Sequence, residues 1–170
     1  RNPMWAIFDA DQTLFAAHVL SKIFRIRGIK EIVKTPGYRY NGFNTDQIGR
    51  IMDHLNNNGI NGQTAFAHKD INKFFKRMKD CRTRIAIASF GCYQIIEALL
   101  EKRFGYGHGI QVFTPTRYAQ MTGKPYDLET GTKYTDGAQM FTEGNFDGKN
   151  KLIELILINT PNANLIFFDD

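Results

Sequence analysis

The sequence predicts an α/β fold of three layers, in which helices cover both faces of a mainly parallel sheet. Short apolar runs suited to strands alternate along the chain with longer segments of helical periodicity. The apolar runs are nearly continuous, which is typical of parallel strands that are buried on both faces. Polar residues directly follow three of these runs. Because ligands of such folds bind at the carboxyl ends of the strands, these polar residues mark the expected site.

The length of 170 residues predicts one domain, which at this size buries roughly 70% of its unfolded surface and needs no disulfide to fold. The two cysteines, Cys81 and Cys92, lack the CxxC spacing of a zinc site and suggest no disulfide framework. This cysteine usage favours a reducing, cytoplasmic compartment. No apolar run reaches the ~18 residues of a membrane-spanning helix, so no membrane partner is predicted.

The net charge of +5 at pH 7 favours anionic partners and is compatible with nucleic acid. Four basic residues lie on one predicted helix and are interpreted as its solvated face: Lys73, Lys76, Arg77 and Lys79. The chain begins at Arg1 rather than Met and has no signal peptide. We therefore expect a fragment whose targeting information lies outside it.

Four strands are predicted from short apolar runs bounded by turn residues. They cover residues 4–8, 84–89, 111–113 and 164–168. Four helices are predicted from apolar residues spaced three and four apart. They cover residues 46–57 with Thr45 as the N-cap, 69–80, 93–103 and 148–159, with Pro161 blocking continuation of the last. His108, in a glycine-rich loop before the third strand, is predicted to be exposed.

Two segments between these elements are predicted to be insertions. Residues 16–66 hold one clear helix and, at residues 24–33, a hairpin-like flap of two short strands around Gly28. Residues 16–24 are also compatible with a helix. Residues 114–146 are rich in Gly, Thr and Tyr, which predicts irregular structure with room for one hairpin. Neither insertion is large, so no large cap domain is expected.

Acidic residues gather at two predicted strand ends. Asp9 and Asp11 follow the first strand, and Asp169 and Asp170 follow the last. Unpaired carboxylates held close together are costly unless a cation neutralises them, and a divalent metal with oxygen ligands meets that need. An Asp-rich turn without a metal is the alternative interpretation of the first pair.

A hydroxyl and an ammonium complete the candidate set. Ser89 ends the second strand, and Lys149 begins the helix before the last strand. In a parallel sheet both would lie on the same rim as the acids, where they would bind phosphate oxygens. The backbone amides of Phe90 and Gly91, near a helix start, add donors for an anion. The sequence therefore predicts a site for a divalent metal and a phosphoryl group.

The order of these residues resembles that of the haloacid dehalogenase-like (HAD) superfamily of phosphohydrolases over nearly the whole chain. The resemblance rests on four motifs: Asp9-Ala10-Asp11-Gln12-Thr13 after an apolar strand, Ser89 after Ile85-Ala86-Ile87-Ala88, Lys149, and Phe167-Phe168-Asp169-Asp170. It implies a single HAD-like phosphatase domain over residues 1–170, with a Rossmann-like sheet. The fifth strand and closing helix that are usual in the family are expected to be absent from this chain, which is interpreted as truncated at its carboxyl end.

The resemblance also implies a role for each matching residue. Asp9 would be the nucleophile that forms an aspartyl-phosphate, and Asp11 would be the acid and then the base. Thr13 would shape the motif loop, while Ser89 and Lys149 would bind the phosphoryl group. The cofactor would be Mg²⁺, held by Asp9, the backbone carbonyl of Asp11, and the terminal acids Asp169 and Asp170.

Two assignments stay open within the resemblance. Lys151 also lies near the helix start, but Lys149 is preferred because it directly follows the turn before that helix. Either terminal acid could be the direct metal ligand. Asp170 is favoured, with Asp169 acting through water or through another ligand.

The second acid of the first motif implies a phosphatase or phosphotransferase rather than a dehalogenase. A weakly capped site suits a large substrate, and the last motif resembles that of the small magnesium-dependent protein phosphatases of the superfamily. The expected substrate is therefore a phosphoprotein, with phosphotyrosine as the first candidate. Four tyrosines are candidates to line the site: Tyr38, Tyr40, Tyr118 and Tyr126. The alternatives are a nucleotide or nucleic-acid-end phosphatase and a non-catalytic module that binds a phosphorylated partner.

Overall fold

A computed structural model describes residues 2–10, 13–16, 19–23, 25–34, 42–123 and 148–168. For six of these only the backbone is described: Leu20, Ser21, Val33, Lys34, Gly148 and Lys149. Several residues singled out above lie outside the described residues: Asp11, Tyr38, Tyr40, Tyr126, Asp169 and Asp170.

Four strands and seven helices make up the described part of the chain. The strands are β1 (Met4–Phe8), β2 (Thr83–Ala88), β3 (Gln111–Phe113) and β4 (Asn164–Phe168). The helices are α1 (Val19–Ile23), α2 (Ile29–Lys34), α3 (Thr45–Asn57), α4 (Ile71–Asp80), α5 (Tyr93–Phe104), α6 (Pro115–Thr122) and α7 (Gly148–Asn159). Within the described ranges, every helix is too short or too polar to cross a membrane.

The four strands form one parallel sheet in the order β3-β2-β1-β4. Phe8, the last residue of β1, is in register with Ile87 of β2 and with Phe168 of β4. The carboxyl ends of these three strands therefore lie side by side. The predicted parallel α/β sheet is confirmed, and each predicted strand lies within one residue of its observed position.

Helices pack on both faces of the sheet, because successive residues of β1 point to opposite sides. Ala6 and Phe8 join the larger apolar cluster, to which helices α1 to α5 all contribute buried residues. Trp5 and Ile7 join the smaller cluster with buried residues of α6 and α7. The predicted three-layer arrangement is therefore confirmed.

The hairpin-like flap predicted for residues 24–33 is wrong. This region contains a turn followed by helix α2, and helix α1 precedes it. Ile23, Ile26 and Ile29 are all buried, and their spacing of three is close to one helical turn. Gly28, with a φ of +87°, supplies the left-handed residue that lets the chain turn into α2.

Residues 14–16 and 65–67 lie next to each other as short antiparallel segments. Ala16 donates its N–H to the carbonyl of Ala65 at 2.8 Å, and Ala67 donates to Leu14 at 2.9 Å. The segment between them begins and ends at the same place in the fold. Its described helices bury their apolar residues in the larger cluster together with the strands, rather than in a core of their own.

Two further expectations are corrected. The N-cap of α3 is Asn44 rather than Thr45, since the Asn44 side chain accepts from Gln47 N while the Gln47 side chain accepts from Asn44 N. Residues 115–122 of the segment predicted to be irregular form α6, capped by Thr114 and begun by proline. Residues 124–147 of that segment lie outside the described residues.

His108 is buried, not exposed, with 8% of its surface accessible. Its Nδ1 accepts from the backbone N–H of Ile110 at 3.0 Å, and its Nε2 lies 2.9 Å from Oε1 of Glu97. Because Nδ1 is an acceptor, Nε2 carries the proton and donates to the carboxylate. The histidine thus attaches the loop before β3 to helix α5.

Candidate functional site

Asp9 lies immediately after β1 and is half-buried. Its backbone N–H donates to the carbonyl oxygen of Phe168, the last residue of β4, at 3.0 Å. The parallel register carries on by one residue past the end of β1, so the predicted nucleophile lies beside the end of β4. The next two residues of the chain, Asp169 and Asp170, are outside the described residues.

Ser89 follows β2 on the other side of β1 and is only 3% exposed. Its backbone N–H donates to the carbonyl of Phe113 at 3.0 Å, which joins the ends of β2 and β3. Its Oγ accepts from the N–H of Gly91 at 3.0 Å. The hydroxyl is therefore held in place at the carboxyl rim, as the sequence predicted for its position.

Gly91 allows the close approach that this hydrogen bond needs. A Cβ placed on Gly91 would lie 3.2 Å from Ser89 Oγ and 3.5 Å from Cδ1 of Ile96. Phe90 is half-buried and packs against the smaller apolar cluster. Helix α5 starts at Tyr93, so the turn of residues 89–91 directly precedes a helix N-terminus. Backbone amides in this position are suited to binding an anion.

Thr13 lies in the tight loop that follows Asp9. The carbonyl of Ala10 accepts from both Leu14 N and Phe15 N, at 3.1 and 2.8 Å, and closes this loop. Thr13 Oγ1 is buried and has no hydrogen-bond partner among the residues that the structure describes. A buried hydroxyl without a partner is costly. Thr13 Oγ1 therefore needs a hydrogen-bond partner that the described residues do not supply.

The two candidate lysines begin helix α7. Lys149 is placed at the second residue of the helix, and its side chain is not among those described. Lys151 places its Nζ 5.4 Å from the ring centroid of Tyr118 in α6. Tyr118 is 9% exposed and belongs to the smaller apolar cluster, so its proposed place as an exposed lining residue is wrong.

The residues predicted to hold a metal are only partly described. Asp9 is described, whereas Asp11, Asp169 and Asp170 are not. No group of three His, Cys, Asp or Glu side chains suited to a metal occurs in the described ranges. The donor types that the sequence supplies to this rim are carboxylate and hydroxyl oxygens, which suit a hard cation such as Mg²⁺. The fit of these residues to Mg²⁺ therefore rests on the chemistry of their oxygen donors and on their positions after the strands.

A cavity of about 360 Å³ opens beside the motif loop and was not predicted. Its lining is mostly apolar and includes Phe8, Ile71, Phe74 and Phe168, together with Thr13. Polar residues His68 and Asp70, which precede α4, also line it. Ile71, Phe74 and Phe75 have the spacing of one helix face, but only Ile71 and Phe75 are buried, and Phe74 is 39% exposed beside the cavity.

No family model matches the chain, and no curated protein matches it. Among solved structures, DsGPDH of Dunaliella salina is similar, with a TM-score of 0.50 and 13% identity over 97% of this chain. The chain spans only 27% of the length of that protein. At this identity the likeness concerns the fold alone.

Two further structures are similar at lower scores. A phospho-aspartyl intermediate analogue of phosphoserine phosphatase has a TM-score of 0.49 and 15% identity, over 98% of this chain and 78% of that one. The HAD domain of the Legionella pneumophila effector Lem4 has a TM-score of 0.43 and 16% identity, over 100% of this chain and 87% of that one. The parallel strand order, with motif residues at the ends of adjacent strands, agrees with the resemblance drawn from the four motifs. The chain therefore has a layered α/β fold with a parallel sheet.

Proposed function

We propose that this chain is a HAD-type phosphomonoester hydrolase that acts through an aspartyl-phosphate on Asp9. One observation carries the proposal: Asp9 lies between two other motif positions at one rim of the sheet. On one side its N–H is bonded to the end of β4, which leads into the terminal acids. On the other side lies the end of β2, where Ser89 presents a fixed hydroxyl.

The proposed reaction has two displacements at phosphorus. A carboxylate oxygen of Asp9 attacks the phosphorus, the bond to the leaving oxygen breaks, and Asp11 gives that oxygen a proton. Asp11 then takes a proton from a water molecule, whose oxygen attacks the aspartyl-phosphate and releases phosphate. The net change is hydrolysis of one phosphate ester, with both aspartates returned to their starting state.

The remaining motif residues would hold the phosphoryl group. The Ser89 hydroxyl, the amide of Phe90 and the Lys149 ammonium supply donors to its equatorial oxygens. The Gly91 N–H, which donates to Ser89 Oγ, would orient that hydroxyl and share its proton with a phosphate oxygen. Thr13 would stabilise the motif loop through a hydrogen bond from its side chain, because its buried hydroxyl requires a polar partner. These contacts matter most in the transition state, when negative charge on the phosphoryl oxygens must be stabilised.

Mg²⁺ would be held by the carboxylate of Asp9, the backbone carbonyl of Asp11 and the terminal acids, with Asp170 as the direct terminal ligand and Asp169 acting through water. When bound, the ion would neutralise the charge that otherwise opposes attack of one anion on another. The donor set would be Asp9, Asp11, Asp169 and Asp170.

The substrate proposed first is a phosphoprotein, with phosphotyrosine as the leading candidate side chain. The described helices of residues 16–66 share the main apolar cluster, which supports a site without a large separate cap. Burial of Tyr118 removes one of the tyrosines considered for the site. We keep the proposed organisation as one domain, with insertions at residues 16–66 and 114–146, in a reducing cytoplasmic compartment.

The test is hydrolysis of p-nitrophenyl phosphate with Mg²⁺ by wild type and by Asp9→Asn. We expect loss of about 10³-fold or more in the variant, because an amide cannot form the acyl-phosphate. Asp53→Asn is the matched control, since Asp53 is exposed on α3 and has no proposed role. Chelation should abolish wild-type activity and added Mg²⁺ should restore it.

A wild type that is inert with Mg²⁺ but binds a phosphopeptide would replace the enzyme with a non-catalytic module. For an active wild type, a panel of phosphopeptides, nucleotides, phosphoserine and sugar phosphates identifies the substrate class. A preference for nucleotides or nucleic-acid ends, with affinity that falls steeply as salt concentration rises, would favour a nucleotide or nucleic-acid-end phosphatase.

A further inference from the structure

A second cavity lies at the amino-terminal end of the sheet, opposite the proposed active site. Its volume is about 480 Å³, and it borders the start of β2 and the loop that leads into β3. Three cations line it: Lys79 from the end of α4, and Arg82 and Arg84 around the start of β2. No acidic residue is among the described residues that line it.

The chain concentrates positive charge in this region. Residues 69–84 contain seven Lys or Arg residues and two Asp residues, a net charge of +5, which equals that of the whole chain. Lys79, Arg82 and Arg84 are all exposed. A group of cations around a concave surface raises the local concentration of anions.

Two of the three cations are held beside the cavity by contacts on the protein. Lys79 Nζ donates to the carbonyl of His108 at 2.6 Å, and that histidine is itself fixed by Glu97. The Arg84 guanidinium lies 5.5 Å from the ring centroid of Trp5, which is a cation–π contact. Because Lys79 and Arg84 are already held in place, binding a ligand beside them costs less side-chain entropy than it would if both side chains were mobile.

The turn between α4 and β2 is unusual at Arg82. Its φ of +59° is left-handed, a conformation that glycine adopts at little cost and arginine does not. The local backbone alone would favour glycine at this position. The chain nevertheless has arginine at position 82, and this residue lines the cavity.

Trp5 contributes an unsatisfied donor to the same set of residues. It lines the cavity, is 7% exposed, and its indole Nε1 is buried with no hydrogen-bond partner in the described part of the chain. A buried N–H without an acceptor is costly. An anion bound here would bring acceptor oxygens to a wall on which every charged side chain among the described residues is a cationic donor.

We propose that this cavity binds a phosphate group carrying two negative charges, presented by inorganic phosphate or by a small phosphomonoester. Arginine and lysine are suited to such a group because they offer several charge-assisted hydrogen bonds. The site is distinct from the carboxyl rim: Trp5 and Asp9 are four residues apart on an extended strand, which is about 13 Å. The inference is independent of the proposed hydrolase activity.

Trp5 is the single tryptophan of the chain, so its fluorescence reports on this cavity. Wild type is titrated with inorganic phosphate, and separately with O-phosphoserine, at constant ionic strength and with EDTA present to suppress hydrolysis. We expect a saturable change in Trp5 emission. A response to both probes assigns the site to the phosphate dianion, and a response to the ester alone assigns it to phosphomonoesters.

Arg82→Gly is the principal variant, because it removes the cation while suiting the left-handed backbone. We expect its apparent Kd to rise about tenfold, as for loss of one charge-assisted contact. Lys76→Ala is the matched control: it removes one exposed charge from α4, and Lys76 does not line the cavity. Its Kd should stay within about twofold of wild type, since exposed charges at a distance are screened.

Three results would overturn the proposal. The first is the absence of a saturable Trp5 response to either probe. The second is an unchanged Kd in folded Arg82→Gly, judged by circular dichroism. The third is an equal loss of affinity in Lys76→Ala, which would mean that overall charge and not this cavity attracts the anion.

Discussion

The backbone N–H of Asp9 donates to the carbonyl oxygen of Phe168 at 3.0 Å, which joins the end of β1 to the end of β4. Directly below this bond, the rings of Phe8 and Phe168 stack with their centroids 4.7 Å apart. The position of the candidate nucleophile thus depends on an apolar contact between two neighbouring strands. The stacked rings of Phe8 and Phe168 therefore support the backbone that carries Asp9.

Phe8→Ala should lower the free energy of unfolding by about 3–5 kcal/mol, the usual cost of truncating a buried phenylalanine. Phe8 is buried and also contacts the rings of Phe74 and Phe75, at centroid distances of 5.9 and 5.7 Å. Phe74→Ala is the control, because Phe74 is 39% exposed and should cost much less. Urea unfolding followed by circular dichroism measures both, and equal losses would contradict the assigned packing.

Gly91→Ala should lower kcat/KM for p-nitrophenyl phosphate about tenfold, equivalent to weakening one hydrogen bond. The new Cβ would lie 3.2 Å from Ser89 Oγ and would have to displace the hydroxyl or the turn. Gly49→Ala, in the middle of α3 with nothing within 4 Å of its added Cβ, is the control. It should leave activity unchanged and stabilise the helix by about 0.5–1 kcal/mol. Unaltered activity in Gly91→Ala would mean that this turn does not position the phosphoryl group.

Asn44→Ala should destabilise the protein by about 1 kcal/mol, because it removes the side-chain acceptor of the α3 capping box. The two bonds of that box, between Asn44 and Gln47, measure 2.9 and 2.8 Å. Thr45→Ala is the matched control and should be close to neutral, since Thr45 is exposed. Thermal or urea unfolding distinguishes the two, and a larger loss at Thr45 would return the cap to that residue.

The sheet could be predicted because parallel strands buried on both faces leave a strong local signal. The run at residues 4–8 is apolar throughout, and the run at residues 164–168 is apolar after Asn164; an aspartate follows each at once. In β1 that pattern follows from burial, whereas β4 is the last strand of the described sheet and leaves Ile166 and Phe167 47% and 39% exposed. The strand bounds and the shared rim followed from the apolar runs and from the polar residues that end them. Ser89 was found for the same reason, since it stops an apolar run at the end of β2.

Other features could not be predicted because they depend on distant parts of the chain. His108 is buried by Glu97, eleven residues earlier on a different element, and nothing near it in sequence indicates that pair. The cavity beside Thr13 is made by residues from β1, β4 and α4. Helix α6 was a different failure, because Thr114 and Pro115 are a local start signal that the glycine-rich composition obscured.

The roles of the two lysines at the start of α7 should separate in mutants. Lys149→Ala should lower kcat/KM by about 10²–10³-fold, as expected for removing a donor to the transferring phosphoryl group. Lys151→Ala should keep activity within about threefold, because its Nζ lies 5.4 Å from the Tyr118 ring centroid. It should instead lower stability by about 0.5–1 kcal/mol, the range of a cation–π contact at a partly exposed site. Steady-state kinetics and urea unfolding on both variants are the measurements, with Lys149→Arg expected to recover part of the lost activity. The reverse pattern, an inactive Lys151→Ala beside an active Lys149→Ala, would transfer the phosphate-binding role to Lys151.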